Sequence, residues 1–72
     1  MYKWIYIHIR DNQNDDFIFI HPMKVTLKEY TILQNYEMDE YDEIYDKICD
    51  TLERIMPYGM DWYIDTIKFN KE

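Results

Sequence analysis

The sequence predicts a small two-layer α+β domain, in which a three-stranded antiparallel sheet carries two helices on one face. Three features lead to this prediction: a strictly alternating N-terminal segment, an amphipathic acidic segment in the second half, and a further apolar segment near the C-terminus. Of the 72 residues, 47% are hydrophobic and 18% are aromatic, which is too apolar for a disordered acidic tail. We therefore expect a single domain, residues 1–72, with the element order ββααβ.

The first strand of the predicted hairpin covers residues 2–10. Ile5, Ile7 and Ile9 point to one side of this strand, and aromatic or polar residues point to the other. A period of two with β-branched and aromatic residues is typical of a half-buried strand. One side of the hairpin is therefore aliphatic and the other is aromatic.

The second predicted strand covers residues 17–21, after the turn formers of residues 11–16. Pro22 ends this strand, because proline cannot donate a hydrogen bond to a ladder. Pairing Arg10 with Phe17 matches isoleucines with isoleucines and keeps the aromatic side chains together. The pairs that follow from it are Ile9–Ile18, His8–Phe19, Ile7–Ile20 and Tyr6–His21.

A short helix is predicted over residues 26–36. Thr26 and Glu29 have the spacing of a capping box at its start. Extended structure around Val25 and Thr26 is the alternative. Apolar residues recur through the segment at helical spacing; they are Leu27, Tyr30, Ile32, Leu33 and Tyr36.

A longer amphipathic helix is predicted over residues 40–56, with Asp39 as its N-cap. Pro57 and Gly59 end it. Its apolar stripe consists of Tyr41, Ile44, Tyr45, Ile48, Leu52, Ile55 and Met56.

The third strand is predicted over residues 61–69. Alternation is imperfect there, since Ile64 and Ile67 lie three residues apart. A bulge or a short helical turn would bring both isoleucines to the same side of the sheet.

The whole net charge of −7 lies on the longer helix and the residues before it. Residues 37–53 hold eight acids and one base, Lys47, whereas the rest of the chain holds seven acids and seven bases. At about 100° per residue, six acids fall within an arc of roughly 100° opposite the apolar stripe. They are Asp39, Asp42, Glu43, Asp46, Asp50 and Glu53.

Two interpretations of these acids stay open: a solvated outer helix face, and an electrostatic contact surface. Carboxylates one helical turn apart, roughly 5–6 Å, are spaced like the phosphates of a nucleic-acid strand. A row of them can therefore fill a basic groove on another protein. A metal site is not predicted, because the chain has no EF-hand loop and a rigid helix spreads its carboxylates too widely to converge on one ion.

The aromatic side of the sheet is the second candidate surface, for a protein partner or for a homodimer. Alternatively, the C-terminal segment with Trp62, Tyr63 and Phe69 folds over it. The net charge of −7 disfavours direct binding of nucleic acid or of an anionic membrane. The predicted residues of this surface are Tyr2, Trp4, Tyr6, His8, Phe17 and Phe19, with His21 nearby.

No residue pattern indicates catalysis, a cofactor or a metal. The chain contains no serine nucleophile, and its one glycine, Gly59, cannot form a glycine-rich phosphate loop. Cys49, the one cysteine, is interpreted as a packed thiol, and His8 and His21 as half-exposed strand residues. Asp61 and Asp65 could in principle pair as a general acid and base, but nothing raises them above ordinary surface residues.

The sequence also predicts a cytoplasmic protein. A single unpaired thiol suits a reducing compartment. The N-terminus has no apolar signal-peptide region, and the longest unbroken apolar run is only four residues, too short to span a membrane.

In size and localised acidity the chain resembles the small phage-encoded inhibitors of host nucleases, namely anti-CRISPR, anti-restriction and uracil-DNA-glycosylase inhibitor proteins. The resemblance rests on bulk character and on the acidic helix, and it carries over no functional residues. It implies a protein inhibitor whose DNA-mimicking helix occupies a basic nucleic-acid-binding groove. The alternatives are a homodimeric interaction module that uses the aromatic face, and an immunity protein or antitoxin that neutralises a basic toxin.

Overall fold

The computed structural model describes residues 1–36 and 38–70. The elements along the chain are β1 (Tyr2–Asp11), β2 (Phe17–Thr26), α1 (Leu27–Asn35), α2 (Met38–Ile55) and β3 (Trp62–Lys68). The three strands form one antiparallel sheet in the order β2-β1-β3. The predicted fold class and the element order ββααβ are therefore confirmed.

Strand β1 lies in the centre of the sheet, and its alternation organises both neighbours. Ile5, Ile7 and Ile9 are 0% exposed on the helix side. The amide of Asp11 donates to a carbonyl on the β2 side at 2.8 Å, and the amide of Asn12 donates to a carbonyl on the β3 side at 2.9 Å. Because backbone groups alternate along a strand, odd-numbered residues of β1 bond to β2 and even-numbered residues bond to β3.

Strand β2 continues through Pro22 to Thr26, so the predicted end at Pro22 is wrong. Pro22 lies opposite Tyr6, whose backbone groups point away from β2. The proline nitrogen therefore lies on the outer edge of the sheet, where a missing N–H breaks no ladder bond. The extended alternative for Val25 and Thr26 is the one observed.

The predicted register is correct at Arg10–Phe17 and wrong beyond it. A β-bulge at Ile18 shifts the pairing by one residue, so that the remaining pairs become Ile9–Phe19, His8–Ile20, Ile7–His21 and Tyr6–Pro22. The bulge lets two successive residues, Ile18 and Phe19, pack against the core, which strict alternation does not allow.

Strand β3 contains the predicted bulge, at Asp65. Ile64 lies opposite Ile9 and Thr66 lies opposite His8, so one residue is skipped between these pairs. As a result Ile64 and Ile67 both pack against the core. The bulge thus reconciles their spacing of three with a sheet.

Helix α1 begins at the predicted capping box. The hydroxyl of Thr26 accepts from the amide of Glu29 at 3.1 Å, and the Glu29 carboxylate accepts from the amide of Thr26 at 2.9 Å. Tyr36 ends the helix in the left-handed region, with φ of 52°. Its buried residues are Ile32 and Leu33, which face the sheet.

Helix α2 begins at Met38, so Asp39 belongs to its first turn and the prediction of Asp39 as N-cap is wrong. An acid in the first turn is favourable in any case, because it faces the positive end of the helix dipole. The helix ends at Ile55, before Pro57 and Gly59, and Gly59 has a φ of +86°. Neither helix of the described residues is long and apolar enough to cross a membrane.

The core lies between the sheet and the two helices, as a two-layer domain requires. No polar side chain is buried within the described part of the chain. The buried residues are Ile5, Ile7, Ile9, Val25, Ile32, Leu33, Ile44, Ile48, Leu52 and Met56.

Leu52→Ala is expected to lose about 2–5 kcal/mol of unfolding free energy, because Leu52 is 0% exposed and its removal leaves a cavity. A core of this size rarely supplies more than roughly 3–5 kcal/mol, so the variant is largely unfolded at 37 °C. Ile55→Ala is the control on the same helix, since Ile55 is 50% exposed. Thermal unfolding followed by circular dichroism measures both, and equal losses would contradict the burial of Leu52 in the core.

Candidate functional site

Helix α2 presents a continuous acidic face to solvent. We define this acidic face as Asp39, Asp42, Glu43, Asp46, Asp50 and Glu53, all of them exposed. Ile44, Ile48 and Leu52 are buried against the sheet. The structure therefore brings all six predicted acids together.

No ion pair neutralises the acidic face within the described residues. Their one salt bridge, with N···O within 4.0 Å, joins Arg10 and Asp65 at 3.2 Å on the far side of the sheet. Lys47 and Arg54, the basic residues of α2, make no such contact. The charge of the acidic face is left to solvent and to any cation that approaches it.

Helix stability does not account for this charge. Asp42, Asp46 and Asp50 form like-charged pairs four residues apart, and each pair costs roughly 0.2–0.5 kcal/mol. Asp50 and Glu53 also lie toward the C-terminal end of α2, where the helix dipole disfavours carboxylates. The fold would be more stable with fewer acids here, so helix stability does not explain them.

Cys49 lies at the edge of the acidic face and is partly buried. Burial raises the pKa of its thiol, and the carboxylates of Asp46, Glu53 and Asp50 raise it further. A raised pKa keeps the thiol protonated at neutral pH and makes it a poor nucleophile. This geometry suits the interpretation of Cys49 as a packed thiol.

Three tyrosines form a stacked row beside the acidic face. The rings of Tyr36 and Tyr41 are 5.1 Å apart, and those of Tyr41 and Tyr45 are 5.9 Å apart, with interplanar angles of 20° and 22°. Burial raises the pKa of both Tyr41 and Tyr45. The apolar stripes predicted from the sequence include these residues but do not reveal the row, although the spacing of four between Tyr41 and Tyr45 signals such contact.

The outer face of the sheet carries the second candidate surface. Tyr2, Trp4 and Phe17 are 63%, 50% and 53% exposed. Lys24 adds a cation over this surface, with its Nζ 5.4 Å from the Tyr2 ring centroid. The aromatic face, as the structure has it, consists of Tyr2, Trp4, Tyr6, His8 and Phe17.

Phe19 does not belong to the aromatic face, so that prediction is wrong. The bulge at Ile18 places Phe19 opposite Ile9, and its ring packs against the core. His21 follows it to the helix side, with its ring edge-on to Phe19 at 6.4 Å. A one-residue shift exchanges the two faces of a strand, which is why both were misplaced.

The C-terminal segment does not fold over the aromatic face in the described residues. Strand β3 lies beside β1 in the sheet, and Trp62 and Phe69 pack against the core. Tyr63 reaches the outer side, where its hydroxyl bonds to the carboxylate of Asp15. The chain up to Asn70 therefore leaves the aromatic face uncovered.

His8 and His21 lie on opposite faces of the sheet, so the prediction that they are near neighbours is wrong. The Nε2 of His8 is enclosed without a hydrogen-bond partner, and its ring lies edge-on to Phe17 at 6.5 Å. Among residues 1–36 and 38–70, no group of three histidine, cysteine or carboxylate side chains is placed to hold a metal ion.

Asp61 and Asp65 each accept a hydrogen bond from a different side chain. The Asp61 carboxylate accepts from the Asn12 side-chain amide at 3.2 Å. Asp65 accepts from the Arg10 guanidinium at 3.2 Å, and Arg10 also donates to the carbonyl of Asp15 at 2.9 Å. These contacts close the 11–16 turn onto β3 and are structural.

We expect Cys49 to react with iodoacetamide more slowly at pH 8 than the same thiol in urea-unfolded chain. The reason is its raised pKa, which lowers the thiolate fraction. Asp46→Asn with Asp50→Asn removes two of the charges that raise this pKa, so the midpoint of the rate–pH curve moves to lower pH. Asp39→Asn, ten residues or about 15 Å away along the helix, is the control and leaves the midpoint unchanged. An unshifted midpoint in the double variant would contradict the electrostatic account.

Comparison with protein-family models, with curated proteins and with solved structures finds no match to this chain. No relative therefore lends it a function. The two surfaces that this chain exposes for a partner are the acidic face and the aromatic face.

Proposed function

We propose that the protein is an inhibitor that binds the nucleic-acid-binding groove of another protein through the acidic face of α2. The observation that supports this proposal is the six exposed carboxylates in one arc, with no ion pair to neutralise them in the described residues. They reduce the stability of the helix that carries them, as expected for residues kept for binding.

The geometry of the acidic face suits a groove that binds a phosphate backbone. Carboxylates one turn apart repeat roughly every 5–6 Å along a straight rod. A groove lined by lysine and arginine takes up such a row as it takes up phosphates, with release of the same counterions. Long-range attraction also speeds the encounter, and salt weakens it.

The tyrosine row supplies apolar contacts at the border of the acidic face. Tyr41 and Tyr45 are half-buried and lie next to Asp42 and Asp46 on the helix. Tyrosines at the edge of a charged patch commonly act as anchors, because they combine a large contact area with a polar tip. A target of this kind would place the inhibitor in the cytoplasm.

A second candidate function is a homodimeric interaction module that buries the aromatic face. The observation that favours it is the exposure of Tyr2, Trp4 and Phe17 on one uncovered sheet face. Contiguous apolar surface of this kind usually marks an interface. An immunity protein or antitoxin that neutralises a basic toxin would use the acidic face, so its geometry is that of the first candidate.

The test is affinity capture from bacterial lysate with three baits: wild type, Asp42/Asp46/Asp50→Asn, and Asp42/Asp46/Asp50→Glu. Bound proteins are eluted first with duplex DNA and then with salt, and are identified by mass spectrometry. We expect nucleic-acid-binding proteins to leave the wild-type bait when DNA is added. The Asn bait loses them, with affinity at least roughly tenfold weaker, because three exposed charge pairs are removed.

The Glu bait is the matched control, because it keeps the charge of the acidic face and should keep the partner. The proposal is contradicted if the Asn bait captures the same proteins as wild type, or if DNA does not displace them. Capture of only the chain itself by all three baits would support the homodimer instead.

A further inference from the structure

The outer edge of β3 presents free backbone groups. Even-numbered residues of β1 bond to β3, so Tyr63, Thr66 and Lys68 point their backbone groups inward. Three residues of β3 lie opposite odd-numbered residues of β1 and point their backbone groups outward. They are Trp62 and Ile64 on one side of the bulge and Ile67 on the other. In the part of the chain that the structure describes, no turn, loop or side-chain hydrogen bond involves these outward groups.

The opposite edge of the sheet is less open to pairing. The residues of β2 that lie opposite even-numbered residues of β1 point their backbone groups outward. Pro22 is one of them and lies between Ile20 and Lys24 on this edge. Pro22 has no N–H, so the centre of that edge offers no donor. Of the two edges, β3 alone has a complete set of donors and acceptors on both sides of its bulge.

A groove runs along the free edge, between α2 and β3. It consists of two adjoining cavities of about 150 and 360 Å³ that share Tyr45 and Ile64. Tyr41 and Cys49 line it from α2, and Ile67 lines it from β3. A strand added to β3 would send every second side chain into this groove.

The α2 side of the groove is acidic. Glu53 lines it, and no lysine or arginine contributes to the walls of the groove. Asp61 and Asp65 also border the groove, but their carboxylates are bonded to other side chains. Asp42 and Asp46 continue the negative charge along the same flank of α2. A second copy of the chain would bring a like-charged helix to this edge, whereas a basic segment would complement it.

We propose that the outer edge of β3 binds an extended basic segment of a partner protein by β-augmentation. This inference goes beyond the proposed function, because it depends on the backbone of β3 and shares with the acidic face only the acids that border the groove. The segment pairs with the outward groups of Trp62, Ile64 and Ile67, about 4.8 Å from β3. Its arginine or lysine stems lie along Tyr41 and Tyr45, with the charged heads toward Glu53 and the neighbouring acids of α2.

The proposed pairing determines which residues of the bound segment face the groove. Trp62, Ile64 and Ile67 point their side chains toward the helices and their backbone groups toward the free edge. Partner residues directly opposite them therefore do both things at once: they hydrogen-bond to β3 and project into the groove. The basic residues of the segment therefore need free backbone N–H groups to pair with β3. The intervening residues point their N–H groups away from β3, so methylation of those groups leaves the pairing intact.

The probe is a heptapeptide in which arginine and valine alternate, with arginine at both ends. Two control peptides are isomers of each other, and each carries three backbone N-methyl groups. In one the methyl groups are on the three valines, and in the other they are on three of the arginines. Binding is followed by amide chemical shifts of the whole protein. A third control replaces every arginine of the peptide with glutamate.

We expect the signals of Trp62–Lys68, Tyr45 and Cys49 to shift on titration. The arginine-methylated peptide binds at least roughly tenfold more weakly, because it lacks the donors that face β3, and the valine-methylated peptide binds like the parent. The glutamate peptide does not bind. In the protein, Glu53→Gln weakens binding up to about fivefold, whereas Tyr58→Ala, at a fully exposed residue outside the groove, leaves it unchanged.

Three results would overturn the proposal. Equal or reversed affinities of the two methylated peptides would show that β3 forms no ladder with the probe. Shifts confined to the acidic face would leave the proposed function standing and remove this site. Self-association through β3 without peptide, seen by sedimentation, would show that a second copy occupies the edge.

Discussion

The central position of β1 is the constraint on which the rest of the structure depends. Along this strand the side chains point alternately to the two faces of the sheet, and the backbone groups bond alternately to the two neighbouring strands. Ile5, Ile7 and Ile9 therefore build the floor of the core and bond to β2. Tyr6 and His8 build the aromatic face and bond to β3. The uncovered face and the free edge both follow from this one strand.

Stability and charge are in conflict on helix α2. A domain this small has little stability to lose, yet its main helix carries like charges one turn apart without a compensating ion pair in the described residues. The buried side of the same helix is wholly apolar, with Ile44, Ile48 and Leu52 at its centre. One helix thus holds the core together through one face and leaves the opposite, acidic face exposed to solvent.

Local signals in the sequence were sufficient for much of the fold. The capping box of Thr26 and Glu29 and the acidic arc of α2 were predictable, because each depends on residues within one or two helical turns. The bulge at Ile18 was not, because it is chosen by the packing of two strands against the core. That one residue moved Phe19 and His21 to the other face, and with them part of the predicted site. The inclusion of Pro22 in β2 depended likewise on which neighbour the backbone of Tyr6 faces.

The most direct test of this account is native-state hydrogen exchange of the β3 amides, measured residue by residue by NMR. If β1 directs its even-numbered residues to β3, the amides of Tyr63 and Thr66 exchange slowly. Those of Trp62, Ile64 and Ile67 then exchange at rates close to those of an unfolded chain, because they face solvent at a free edge. Protection of the second set and not the first would contradict the register, the aromatic face and the free edge together.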